Sequence, residues 1–213
     1  MKPLDSRARA LIGFLFAFAC VFGGLVLPSP GIGPAYVRAH AALGNALVAG
    51  ASFESGDVLH FEASDAELAQ HPWQLTLQVS ARERPPVLVP IDLRTLLFLP
   101  ISAFIALALA APLGSARRNA RVLAQGLLML VPALYLLTVL PLASFLGGIG
   151  PVRVFRLAPA LHVLFQTIYR ALVAPPGMMY ALPLLLWWVL VARSYPSLVV
   201  PPIPIPTPAP KEV

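Results

Sequence analysis

Six residues late in the chain are of types that can do chemistry: Arg153, Arg156, His162, Gln166, Tyr169 and Arg170. Read at helical spacing across 152–173, Arg156, His162, Gln166, Tyr169 and Arg170 share one face. Leu161, Leu164, Phe165, Ile168 and Leu172 share the other. Guanidinium forks match phosphate and carboxylate oxygens, and an imidazole can carry a proton near neutral pH. Such a face fits a lipid phosphate or the acidic segment of a partner. It equally describes an amphipathic helix at a membrane surface with its arginines on headgroups. Burying two arginines and a histidine mid-bilayer costs several kcal/mol, which favours lying at the interface over crossing.

Little else in the chain points to chemistry. Cys20 is the only thiol and lies among Phe16, Phe18, Val21 and Phe22, where it stays protonated and inert. His40, His60, His71 and His162 show no paired metal-ligand spacing, so neither metal nor cofactor is expected. Gly31-Ile32-Gly33-Pro34 and Gly147-Gly148-Ile149-Gly150 lack the strand–turn–helix context and the lysine of a phosphate loop. Asp92 and Arg94 read as a local ion pair where an outer segment meets a span. Gln125, Tyr135, Thr138 and Ser144 are mild polar groups suited to hydrogen bonds between helices. No catalytic residue emerges.

The elements that position these residues follow from composition. Of 213 residues, 58% are hydrophobic and 11% charged, too few charges to coat a water-facing surface. The net charge of +6 clusters beside apolar runs, so membrane topology accounts for it and nucleic acid is not an expected partner. The predicted fold class is an α-helical integral membrane protein with four transmembrane helices. A small α+β insertion separates helices 1 and 2, and an interfacial amphipathic helix separates helices 3 and 4.

The first span closes an amino-terminal unit, 1–27. Its apolar run, Ala10 to Leu27, follows Lys2, Arg7 and Arg9 and is longer than the roughly 7–15 residues of a signal core. An uncleaved anchor is the reading, with a signal peptide as the alternative. The second span is 93–113 and the third 122–147, joined by 114–121 with Arg117, Arg118 and Arg121. A loop and the amphipathic helix fill 148–177, a fourth span occupies 178–195, and a tail with seven prolines, 196–213, cannot build a core.

The insertion, 28–92, holds seven acids against three arginines, a net of −4. Tyr36 to Ala51 suits a short helix. Three strands are predicted at 58–63, 73–80 and 87–91, with Trp73, Leu75, Leu77 and Val79 on one face of the second. Gly56, Pro72 and Pro85-Pro86 punctuate them as turns. Three strands make a marginal sheet alone, so it must pack on the Tyr36 helix, the membrane surface or a partner. Its open edge is a site for strand addition.

Charge orients the whole. The short connection with Arg117, Arg118 and Arg121 carries no acid and belongs in the cytoplasm. Both termini are then cytoplasmic, and the acidic insertion is periplasmic in a bacterial inner membrane. A five-span alternative, with 152–173 crossing, sends the proline tail outside.

This layout resembles the exosortase H-associated membrane proteins over roughly Ile91 to Tyr195. The similarity rests on Leu99-Pro100-Ile101-Ser102-Ala103-Phe104-Ile105-Ala106-Leu107-Ala108-Leu109-Ala110-Ala111-Pro112, followed by Arg117-Arg118. It rests also on Phe165-Gln166, Pro175 and Ala181-Leu182-Pro183-Leu184-Leu185-Leu186-Trp187. The glycine cluster and the proline tail depart from it. The resemblance implies a non-enzymatic accessory to a system that sorts exported proteins with carboxy-terminal anchors. Its partners are membrane lipids and a membrane protein, either the sortase-like enzyme or an exported substrate. No catalytic residue carries over. The alternatives are a small membrane enzyme acting on lipid or lipid-linked glycan, and a subunit of a transport complex.

Overall fold

The computed structural model describes residues 6–27, 31–49, 58–81, 84–111, 113, 115–147, 158–174 and 178–194. Arg153 and Arg156, most of the loop that holds them and the proline tail 196–213 lie outside these residues.

Helix α1 (Ser6–Val26) is a continuous apolar helix and α5 (Ala116–Leu146) is another of 31 residues. Both are long and apolar enough to cross a membrane. The core helix of a water-soluble domain would be mostly buried. Instead none of the apolar stretch of α1 and only 17% of that of α5 is fully buried within the protein.

The other two predicted spans come out shorter. A wide π-helical turn, Arg94–Phe98, runs into α4 (Leu99–Ala110), giving a helix of 17 residues over Arg94–Ala110. Helix α7 (Met178–Ser194) also has 17. At 1.5 Å per residue each is about 25 Å long, under the roughly 30 Å of a hydrocarbon core. The four-span expectation is therefore met by length in α1 and α5 alone among the described residues. Proline explains much of the shortfall. Ala111 precedes Pro112, whose ring disfavours helical ψ in its neighbour, and Ala111 turns extended at ψ 128°. Pro100 can neither donate to the Leu96 carbonyl nor sit beside it. The turn ahead of it widens, and the Leu99 N–H reaches back to the Arg94 carbonyl.

Helix α5 begins at Ala116, earlier than the expected Val122. Ser115 caps it, its hydroxyl accepting from the Arg118 N–H at 3.4 Å. Arg117, Arg118 and Arg121 thus sit on the first two turns of α5 instead of in a loop. The Asn119 amide donates to the Ala111 carbonyl at 3.1 Å, tying the α4–α5 turn shut.

Helix α2 (Ile32–Val48) starts at Gly31, whose φ of +99° is a left-handed conformation that favours glycine. Strands β1 (Val58–Glu62), β2 (Gln74–Ala81) and β3 (Arg84–Asp92) then form an antiparallel meander in the order β1-β2-β3. Leu77 lies opposite Phe61 on one side and Val89 on the other. As the alternation predicts, Leu75, Leu77 and Val79 are buried. Pro85 and Pro86, expected as a turn, belong to β3, which an edge strand tolerates. A short helix, α3 (Asp65–Gln70), links β1 to β2 and was not anticipated. Its signal was there in Ser64-x-x-Glu67, and the Ser64 hydroxyl accepts from the Glu67 N–H at 3.3 Å.

Two clusters make the core. The larger joins Val37 of α2, Leu68 of α3 and Leu75 of β2 to Phe104 of α4, Leu130 and Leu134 of α5 and Val191 of α7. The smaller seats Leu77 and Val79 of the sheet on Leu142 and Leu146, the last turns of α5. The sheet therefore rides on the carboxy-terminal end of the longest helix.

Candidate functional site

Helix α6 (Pro159–Ile168), extended by the π-helical turn Tyr169–Val173, carries four of the six singled-out residues. The structure brings two of these four together and adds a third residue from α5. The Gln166 Nε2 donates to His162 Nε2 at 3.1 Å, so the ring proton sits on Nδ1 and is donated to the Ser144 hydroxyl at 3.2 Å. His162 thus holds α6 onto α5. Ser144 is only 6% exposed. A serine that accepts from the imidazole and has almost no open surface is not arranged as an activated nucleophile, which needs a base taking its proton. Gln166, Tyr169 and Arg170 face outward, and so do Leu161, Val163 and Leu164. The helix turns its histidine toward α5 and leaves both polar and apolar groups exposed outside.

A second constellation lies where α2, β2, the Arg94–Phe98 turn and α5 meet. His40 Nδ1 is 2.8 Å from the carbonyl of Tyr36, an acceptor, so Nδ1 carries the proton. Its Nε2 accepts from the Tyr135 hydroxyl at 2.5 Å. The Tyr36 ring lies tilted against His40 with centroids 4.2 Å apart, and Trp73 likewise against Phe98 at 4.5 Å. The Tyr36 ring meets both of the latter at 5.9 Å. Burial, with the Tyr135 phenol beside it, pushes the Tyr36 hydroxyl from 10.0 to about 12. Tyr36 and His40 are one helical turn apart in the sequence, a spacing that could have drawn notice. Their partner is 95 residues from His40.

The remaining candidates are structural. Asp92 accepts from the backbone N–H of Arg94 at 2.9 Å and from the Thr95 hydroxyl at 2.7 Å. It caps the start of that helix instead of pairing with the Arg94 guanidinium. Thr138 bonds its own helix at the Leu134 carbonyl. Cys20 is exposed on α1. Among the described residues no group of three or more histidine, cysteine or acidic side chains could hold a metal ion.

Strand addition is poorly served at either edge. On β1 the Asn45 side chain takes both outward groups of Phe61, donating to its carbonyl at 2.8 Å and accepting from its N–H at 2.7 Å. On β3 the Leu93 N–H bonds the Trp73 carbonyl, so by alternation residue 90 points its nitrogen outward, and it is a proline. Pro85 and Pro86 cannot donate either. These are the usual devices that blunt a sheet edge.

No family model, no curated protein and no solved structure matches this chain.

Proposed function

We propose that this chain is a non-enzymatic accessory of the bacterial inner membrane, presenting a small outer platform to another membrane protein. The observation that carries the proposal is the fastening of that platform to a membrane-length helix. Leu77 and Val79 sit on Leu142 and Leu146, and His162 is bonded to Ser144 two residues from the end of α5. Whatever binds the sheet or α6 is thereby held at a set height above the bilayer.

In this reading Arg94–Ala110 and α7 also cross, making four spans with both termini cytoplasmic and the platform periplasmic. Their 17 residues stand at the lower limit for spanning, and slight local thinning of the bilayer accommodates them. Helix α4 packs against α1, α5 and α7, so it runs through the middle of the bundle. Arg117, Arg118 and Arg121 at the start of α5 mark the cytoplasmic side. Recognition runs through exposed side chains, among them Gln166, Tyr169 and Arg170, because both sheet edges are blunted. The resemblance to exosortase-associated proteins makes a sortase-like enzyme or its anchored substrate the expected partner. The inward proton of His162 and the covered Ser144 weigh against the lipid-enzyme alternative.

Photo-crosslinking from positions 166 and 170 in native membranes tests this. One defined membrane partner, lost on Arg170→Glu while the chain stays folded, is the expected result. Recovery of a monodisperse chain with no adduct overturns it. A fluorescent-protein fusion after Val213 must glow in the cytoplasm, since a dark fusion there contradicts the four-span arrangement.

A further inference from the structure

Helix α2 is covered on one side only. Its inner face, Gly33, Val37 and Ala41, is buried, while Gly44 lies under the Phe61 ring and His40 meets α5. The outer arc, spaced at 100° per residue, carries Ile32, Leu43 and Leu47 with four alanines, and its one polar-tipped side chain, Tyr36, is half-buried against His40 and Trp73. Ile32 is 47% exposed, Leu43 49% and Leu47 75%. A helix facing water turns polar groups outward, so an arc whose exposed side chains are all apolar calls for an apolar surface against it. The only charge on α2 is Arg38, which lies at the flank of the arc and bonds Asp65 at 2.7 Å.

The level of α2 along α5 identifies that surface. If Arg121 marks the inner boundary, Tyr135 stands about 21 Å further along the helix axis at 1.5 Å per residue. A core of about 30 Å then ends some 9 Å beyond Tyr135, near Pro141. Tyr135 is the residue that holds His40. The α2 contact therefore falls within the 5–10 Å depth at which interfacial helices bury their apolar faces. Ser144, which holds α6, stands about 35 Å from Arg121, at headgroup level. The aromatic rings of Tyr36, Trp73, Phe98 and Tyr135 gather at this same level, in the outer part of the core toward the interface where amphipathic rings collect.

We infer that α2 is an in-plane membrane helix whose Ile32–Leu43–Leu47 face docks on the acyl chains of the outer leaflet. This rests on α1 and α5 spanning the bilayer, and it adds a membrane contact to the insertion, which by composition is acidic and water-facing. The sheet is then gripped between a lipid-embedded helix and the end of α5, with its orientation to the membrane fixed.

The test uses the full chain with Cys20→Ala and single cysteines at Leu43, Leu47, Leu128 or Ala69, each carrying an environment-sensitive fluorophore. Leu128 lies on the outer face of α5, and Ala69 is exposed on α3. The chain is placed in phosphatidylethanolamine–phosphatidylglycerol vesicles containing lipids with a nitroxide near the headgroup or deep in the chain. Labels at 43 and 47 should lose fluorescence more to the shallow nitroxide. The label at 128 should lose more to the deep one, and that at 69 little to either. Labels at 43 and 47 that behave like 69 while 128 is quenched overturn the docking of α2. Absence of quenching at 128 as well removes the spanning helices and the inference together.

Discussion

Gly126 of α5 lies directly beneath the ring of Phe104 in α4, with no room for a Cβ between them. Phe104 is fully buried, so the ring cannot swing away into solvent or lipid. Two more glycines hold aromatic rings in the same manner. A Cβ on Gly44 would come within 2.6 Å of Phe61, and one on Gly33 within 2.7 Å of the Pro72 carbonyl and 3.0 Å of Trp73. All three bring a helix backbone against a ring.

Replacing Gly126 by alanine should destabilise the fold by about 1–3 kcal/mol, the usual cost of overpacking a well-filled core. Phe104→Leu in the same chain should return part of that loss by making room. Thermal unfolding in mild detergent reads both effects. A Gly126→Ala chain with an unchanged midpoint contradicts the contact.

Tyr135→Phe removes the hydroxyl that His40 accepts from while keeping the ring. Hydrogen bonds of this kind in membrane proteins contribute about 0.6 kcal/mol on average and up to about 1.7 kcal/mol. The loss should fall in that range and leave secondary structure intact. A double-mutant cycle with His40→Ala isolates the pair, and a coupling near zero refutes it.

Alkaline pH should loosen the α2–α5 junction. Tyr36 is held neutral in the folded chain up to about 12, against an ordinary 10.0. Below pH 10 both folded and unfolded chains keep the phenol neutral, so its contribution is fully present. From pH 10 upward the unfolded chain ionises first, and the contribution falls away through pH 12. Titration by phenolate absorbance should show a delayed component that shrinks by one tyrosine in Tyr36→Phe. If all tyrosines titrate together near 10, the burial of Tyr36 is wrong.

Asn45→Ala strips the β1 edge of both its partners at Phe61. An unpaired, partly buried amide costs about 1–3 kcal/mol. Hydrogen exchange at the Phe61 amide should accelerate well beyond that of Leu77 in the centre of the sheet. Asn45→Asp should lose the bond to the Phe61 carbonyl and keep the one to its N–H, giving an intermediate rate.

Much of the skeleton was legible from periodicity. The unbroken apolar runs of α1 and α5 and the alternation Leu75-x-Leu77-x-Val79 needed no tertiary information, because a single segment's pattern records which solvent each face meets. Ser64-x-x-Glu67 was equally local and announced α3 to anyone weighing helix caps. The ends of the shorter helices were harder, since they turn on single prolines at 100 and 112 acting on a neighbour's backbone.

The sites were another matter. Periodicity divides α6 into two faces but is symmetric as to which one meets the protein, and Ser144, distant in sequence, is what draws His162 inward. Nor does the spacing of Tyr36 and His40 foretell Tyr135, which the sheet and the Arg94–Phe98 turn bring within hydrogen-bond reach. Pattern within a segment therefore determined that these helices exist and that lipid suits their surfaces. Which side chains pair depends on contacts between segments whose order of approach the chain does not write locally, and only the tertiary packing decided it.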